Sequence, residues 1–183
     1  MEQKYTDFDK LNRLLVTSFG AEKFYYNAAQ DAHKSELKRF FNYMAVERNK
    51  MSHSISNELR SRGIEPLKND IEKGNVDRDW HQIKEALENF DAISMINQCI
   101  AKDKFNIRKI DEMLETKALP QEVLTLLETQ RTQLDWYIKQ AEQHKINPFK
   151  KEAATRDEFF RENNSEKHST TKDSIKIIDI KAG

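Results

Sequence analysis

Cysteine occurs once in this 183-residue chain, proline three times and glycine four times. A lone Cys99 excludes an intramolecular disulfide framework and a Cys-rich zinc site. So little glycine and proline leaves too little turn chemistry for a β sandwich or barrel, and helices are expected instead. A charge excess of one sign is also missing. The chain's 31 Lys and Arg balance 31 Asp and Glu, so the basic footprint of a nucleic-acid binder is absent. No apolar run approaches the roughly 18–20 residues of a membrane span, and the N-terminus lacks an apolar signal core. The expected protein is cytoplasmic, with neither nucleic acid nor membrane as partner. A Gly-rich phosphate loop and the signature of a Ser/His/Asp triad are likewise lacking.

What is present is helical periodicity. Phe8, Leu11, Leu15, Phe19, Tyr25, Tyr26 and Ala29 follow at helical spacing and predict a first helix over about 6–31. Ser35 is the expected N-cap of a second, which carries Phe40, Phe41, Met44, Met51, Ile55 and Leu59 and stops at Gly63. Residues 64–77 read as a connector with a turn at Gly74, and 79–89 as a short helix burying Trp80, Ile83 and Leu87. A third long helix begins near Asp91. Pro120 opens the fourth, which fades near Gln143. Two very short joins force two antiparallel hairpins connected by one long crossover. The expectation is an all-α antiparallel four-helix bundle over 1–146, with a short crossover helix. A polar, mobile C-terminal tail is expected over 147–183.

The informative residues are charges where the period asks for apolar side chains. The apolar stripes of the four long helices pass through Glu22, Glu47, Asp103 and Arg131 in turn. Measured from the first turn, Glu22 and Glu47 differ in height by two residues, about 3 Å at 1.5 Å per residue. From the second turn, Asp103 and Arg131 differ by about 1.5 Å by the same rise. Charges at one level in a core must be paired or bind metal, and opposed carboxylates are how bundles hold two metal ions.

Glu22 in Gly-Ala-Glu-Lys-Phe-Tyr, the mid-helix Glu47-Arg48, the ending Leu59-Arg60-Ser61-Arg62-Gly63 and Leu119-Pro120-Gln121-Glu122-Val123 carry a family resemblance. The chain resembles the ferritin-like superfamily from about Leu11 to Gln143, and within it a bacterial branch of unknown function. The resemblance implies a ferritin-like bundle that acts without a reaction of its own. Its metal-binding members use two Glu and two Glu-x-x-His motifs. Here the motifs become Glu47-Arg48-Asn49-Lys50 and Glu128-Thr129-Gln130-Arg131, so Lys50 and Arg131 stand where imidazoles would ligate. Neither cation offers a lone pair to a metal at neutral pH.

The resemblance thus implies a degenerate site, with Glu22, Glu47, Asp103 and Glu128 as the remaining candidates and Lys50 and Arg131 forming a core salt-bridge cluster with them. Removing Arg131 is then expected to cost about 3–5 kcal/mol. No cofactor is expected. The implied function is non-enzymatic and stress-associated, exerted by homo-oligomerisation or through a protein partner. The alternative is a di-iron or di-manganese carboxylate oxidase or ferroxidase, since oxygen ligands alone hold Fe or Mn weakly.

Overall fold

The computed structural model describes residues 2–68 and 70–146. Among the described residues five helices run in order: α1 (Glu2–Asp31), α2 (Ser35–Ser61), α3 (Asp70–Ala86), α4 (Ala92–Thr116) and α5 (Gln121–Ile146). Among the described residues there is no strand. α1 packs against α2, α4 against α5, and the two hairpins meet through α1–α4 and α2–α5. The expected all-α bundle of two hairpins and a crossover is therefore the observed one. The tail expected over 147–183 lies outside the described residues.

The core follows from the periodicity. Leu11, Leu15, Phe24, Phe41, Met44, Ile55, Ile96, Ile110, Val123 and Leu127 are all sealed from solvent. Gly63 ends α2 at φ 71°, where Ile64 N–H donates to Leu59 O and Gly63 N–H to Arg60 O. This pair of bonds is the Schellman closure, and it needs a residue without a Cβ penalty at positive φ. Asp91 caps α4 by accepting from Ser94 N–H at 2.8 Å, which holds its carboxyl below the usual range. The Ser35 cap is corrected. Lys34 occupies the N-cap position and Ser35 is already helical.

The crossover also differs from expectation. α3 begins at Asp70, so Gly74 lies inside a helix rather than at a turn. Glycine costs a helix about 1 kcal/mol relative to alanine. Docking outweighs that cost, because Val76 and Trp80 are both buried in the core. Trp80 Nε1 and Lys84 Nζ donate to the two oxygens of Asp31 at 2.6 and 2.9 Å. At the other end, Asn12 donates to Glu65 O and accepts from Leu67 N–H, fixing the start of the crossover on α1. A Cβ at Gly20 would stand 3.1 Å from Glu72 Oε1, the movable end of its side chain, and in ordinary contact with Val76.

Candidate functional site

Each long helix sends one side chain to a shared central layer: Tyr25 from α1, Arg48 from α2, Asp103 from α4 and Tyr137 from α5. All four are buried. Arg48 reaches this layer because the inward stripe of α2 runs Phe41, Met44, Arg48, Met51, Ile55. Its Nε donates to Asp103 Oδ1 at 3.0 Å and its Nη2 to Oδ2, closing a bidentate fork. The guanidinium carbon lies 4.6 Å from the ring centroids of both Tyr25 and Tyr137. The cation is thus held at its edge by a carboxylate and lies within cation–π distance of two aromatic rings.

Tyr25 and Arg48 lie at different heights along their hairpin. Counted from the turn, Tyr25 is six residues nearer, about 9 Å at the helical rise. Side chains close that gap because every Cα–Cβ bond tilts toward its helix N-terminus. On α1 this directs Tyr25 away from the turn, and on α2 it directs Arg48 back toward it. Tyr25 Oη then donates to Asp103 Oδ2 at 2.6 Å and accepts from Arg48 Nη2 at 3.4 Å. Arg48 Nη1 donates to the Met44 carbonyl at 3.5 Å.

A second carboxylate adjoins the layer. Glu47 Oε2 accepts from Tyr137 Oη at 2.8 Å, and its Oε1 accepts from Lys50 Nζ at 2.6 Å. Burial is the largest single influence on Arg48 and opposes its charge, but the Asp103 carboxylate together with the Tyr25 and Tyr137 phenols holds the guanidinium's pKa above its ordinary value. Burial pushes the Tyr25 phenol well up, reinforced by Asp103. Burial and then the hydrogen bond to Glu47 raise Tyr137. Cys99, one turn before Asp103, is also raised by burial and by that carboxylate. At neutral pH the layer is therefore a fixed cation and neutral phenols, closed to solvent.

The expected site residues are only partly brought together. Asp103 is at the centre, as its stripe implies, and Glu47 borders it. Glu22 is half-buried. Its Oε1 accepts from Asn49 Nδ2 at 3.2 Å, while its Oε2 is buried without a partner. Glu128 is exposed on α5. The core cluster of Lys50 and Arg131 is corrected: the side chain of Lys50 is 66% exposed and that of Arg131 41%. Arg131 pairs on the outer surface with Asp111 at 2.5 Å and Asp135 at 2.8 Å. The reason is register. The inward stripe of α5 runs Val123, Leu127, Gln130, Leu134, Tyr137, Ala141, which turns Arg131 outward. Gln130 is buried and donates to Met51 O at 3.0 Å.

Arg48, Gln130 and Tyr137 are the central residues that the sequence reading passes over. Spacings of three and four also fit a stripe through 48, or through 130 and 137, so the signal was present in an alternative register. These donors do not compose a di-metal centre as placed. Asp103 spends both oxygens on Arg48 and Tyr25, and its immediate neighbour is a cation that repels a metal ion. Among the described residues, no three His, Cys, Asp or Glu side chains are grouped to hold a metal.

Comparison with known proteins agrees with this architecture. The model of a family described as "Domain of unknown function (DUF2383)" matches residues 7–116. A search of curated proteins finds no match. Among solved structures, the chain is similar to the protein described as a dodecameric thioferritin, the bacterioferritin-related protein from Bacteroides fragilis. The two share 13% identity over 92% of each chain, with a TM-score of 0.62. At that identity the likeness shows the fold, which is ferritin-like.

Proposed function

The chain belongs to the DUF2383 family of ferritin-like proteins, and on that premise we propose that it is a non-enzymatic bundle whose metal centre has been replaced by a buried ion pair. The observation that carries this reading is Arg48, held by Asp103 and within 4.6 Å of the ring centroids of Tyr25 and Tyr137. A permanent cation at the centre does electrostatically what a metal would do for the carboxylates, and it offers no exchangeable ligand position. No cofactor is needed in this reading. Such a protein works through its outer surface, as a homo-oligomer or by docking a protein partner. The dodecamer of the thioferritin supports homo-oligomerisation here. A stress-associated role rests on the family resemblance and would appear as induction of the protein under stress.

One observation favours the alternative of a di-iron or di-manganese oxidase. Glu22 Oε2 is buried and unpartnered, as a carboxylate oxygen awaiting a cation would be. Elemental analysis of untagged protein from iron- and manganese-supplemented cells separates the two. The expected result is metal well below one ion per chain in a folded protein. About two ions per chain, the stoichiometry of a di-metal bundle, lost in Glu22→Ala/Glu47→Ala, would establish the oxidase reading instead. Sedimentation velocity tests the assembly, and a monomer at micromolar concentration would remove homo-oligomerisation from the proposal.

A further inference from the structure

α3 docks on α1 and leaves an open groove of about 670 Å³ between itself and α4. That volume falls in the range of small-molecule sites, roughly 300–1,000 Å³. Its floor is the buried ring of Phe24, and its apolar walls include Ile83 of α3 and Phe105 of α4, the latter 39% exposed. The charged residues lining it are Lys102, Arg108 and Asp79, a net charge of one positive. Lys102 Nζ lies 4.7 Å from the centroid of Phe24, and the guanidinium carbon of Arg108 lies 5.7 Å from that of Phe105.

Lys109 also approaches the Phe105 ring, at 5.5 Å, but it has a carboxylate partner that Lys102 and Arg108 lack. Lys84 of α3 and Lys109 of α4 are both in ion pairs. Among the described residues, Lys102 and Arg108 make no ion pair and rest on aromatic rings instead. An aromatic face is a weaker partner for a cation than a carboxylate or sulfonate in a charge-assisted hydrogen bond. An incoming anion would draw both cations to itself, and the apolar surface they now cover would accept the rest of the ligand.

We propose that the α3–α4 groove binds an anionic amphiphile, a single carboxylate or sulfonate on an apolar body. The body lies over Phe24 between Ile83 and Phe105, and the head group meets Lys102 and Arg108. Alkyl and aryl acids share this chemistry. Isothermal titration of the full chain with decanoate, below its micellar concentration, and with 1-anilinonaphthalene-8-sulfonate tests each kind. Decyltrimethylammonium serves as the cationic counterpart.

The expected result is saturable one-site binding of at least one anion, at least tenfold tighter than the cation. Binding should weaken at least tenfold in Ala101→Trp, which fills the groove from an exposed position, and in Lys102→Met/Arg108→Met, with far-UV circular dichroism unchanged. Absence of saturable binding by both anions would overturn the proposal. So would equal binding of the cationic amphiphile, or unchanged affinity in both folded variants. Dissociation of an oligomer by Ala101→Trp would assign the groove to contact between copies and overturn it as well.

Discussion

Arg48 and Arg131 carry the same charged group, and the comparison between their surroundings is instructive. Arg131 has the richer set of ion pairs, with two carboxylates at 2.5 and 2.8 Å, yet 41% of its side chain meets solvent. Arg48 has one carboxylate, and its side chain is 2% exposed. In water the two pairs of Arg131 are screened and exchange readily for hydration, so exposed pairs contribute about 0–1 kcal/mol. For Arg48 neither partner can return to water without opening the bundle. What separates them is the surrounding medium rather than the number or length of the contacts.

The largest test of that contrast is removal of the buried cation. Arg48→Met leaves Asp103 charged and enclosed, and denaturant unfolding should show a loss of about 3–5 kcal/mol. The double variant Arg48→Met/Asp103→Leu removes both charges and should recover most of that loss, because well-packed apolar replacements of buried pairs are often neutral or stabilising. A double variant as unstable as the single would mean that packing, not the orphaned carboxylate, dominates.

Tyr25→Phe keeps the ring over Arg48 and deletes the donor to Asp103. Equilibrium unfolding should report about 1–3 kcal/mol, the usual penalty for a buried partner left short of a hydrogen bond. Alkaline titration sharpens the same point. The phenols of Tyr25 and Tyr137 are raised in the fold, so the unfolded chain releases their protons first. Stability from this source is complete below about pH 10, the unfolded tyrosine value, and falls as pH rises above it. Cys99 begins the same loss at about pH 8.5. Thermal melts across this range should show a shallower alkaline decline in Tyr25→Phe than in wild type. The smallest effect belongs to the surface: Arg131→Ala should cost less than about 1 kcal/mol. A loss of several kcal/mol there would erase the distinction between the two arginines.

The bundle was readable in the sequence because burial of one face repeats every three or four residues for two dozen residues at a time. The same tolerance hid the site. Steps of 127, 131, 134 and 127, 130, 134 are equally helical, and only the three-dimensional packing turns Gln130 inward and Arg131 out. On α2 both Glu47 and Arg48 are buried, so a single stripe through 47 could not reveal its neighbour. Asp103 was found without ambiguity because Ile96, Cys99, Ile107 and Ile110 frame it on both sides. α3 was read short because its first half has few apolar residues to mark a period. Its attachment depends on Val76, Trp80 and the polar contacts to Asp31.

The placement of the central ion pair also bears on the order of folding. Arg48 and Asp103 are 55 residues apart and belong to different hairpins. Each hairpin can close through local contacts, which are fast to form, but neither contains both partners. The desolvation of Arg48 and Asp103 therefore belongs to the step in which the hairpins meet, and mispositioned docking would strand two charges in an apolar seam. The pair acts as a proofreading contact on assembly: only the correct register lets the bundle close without leaving either charge unmatched.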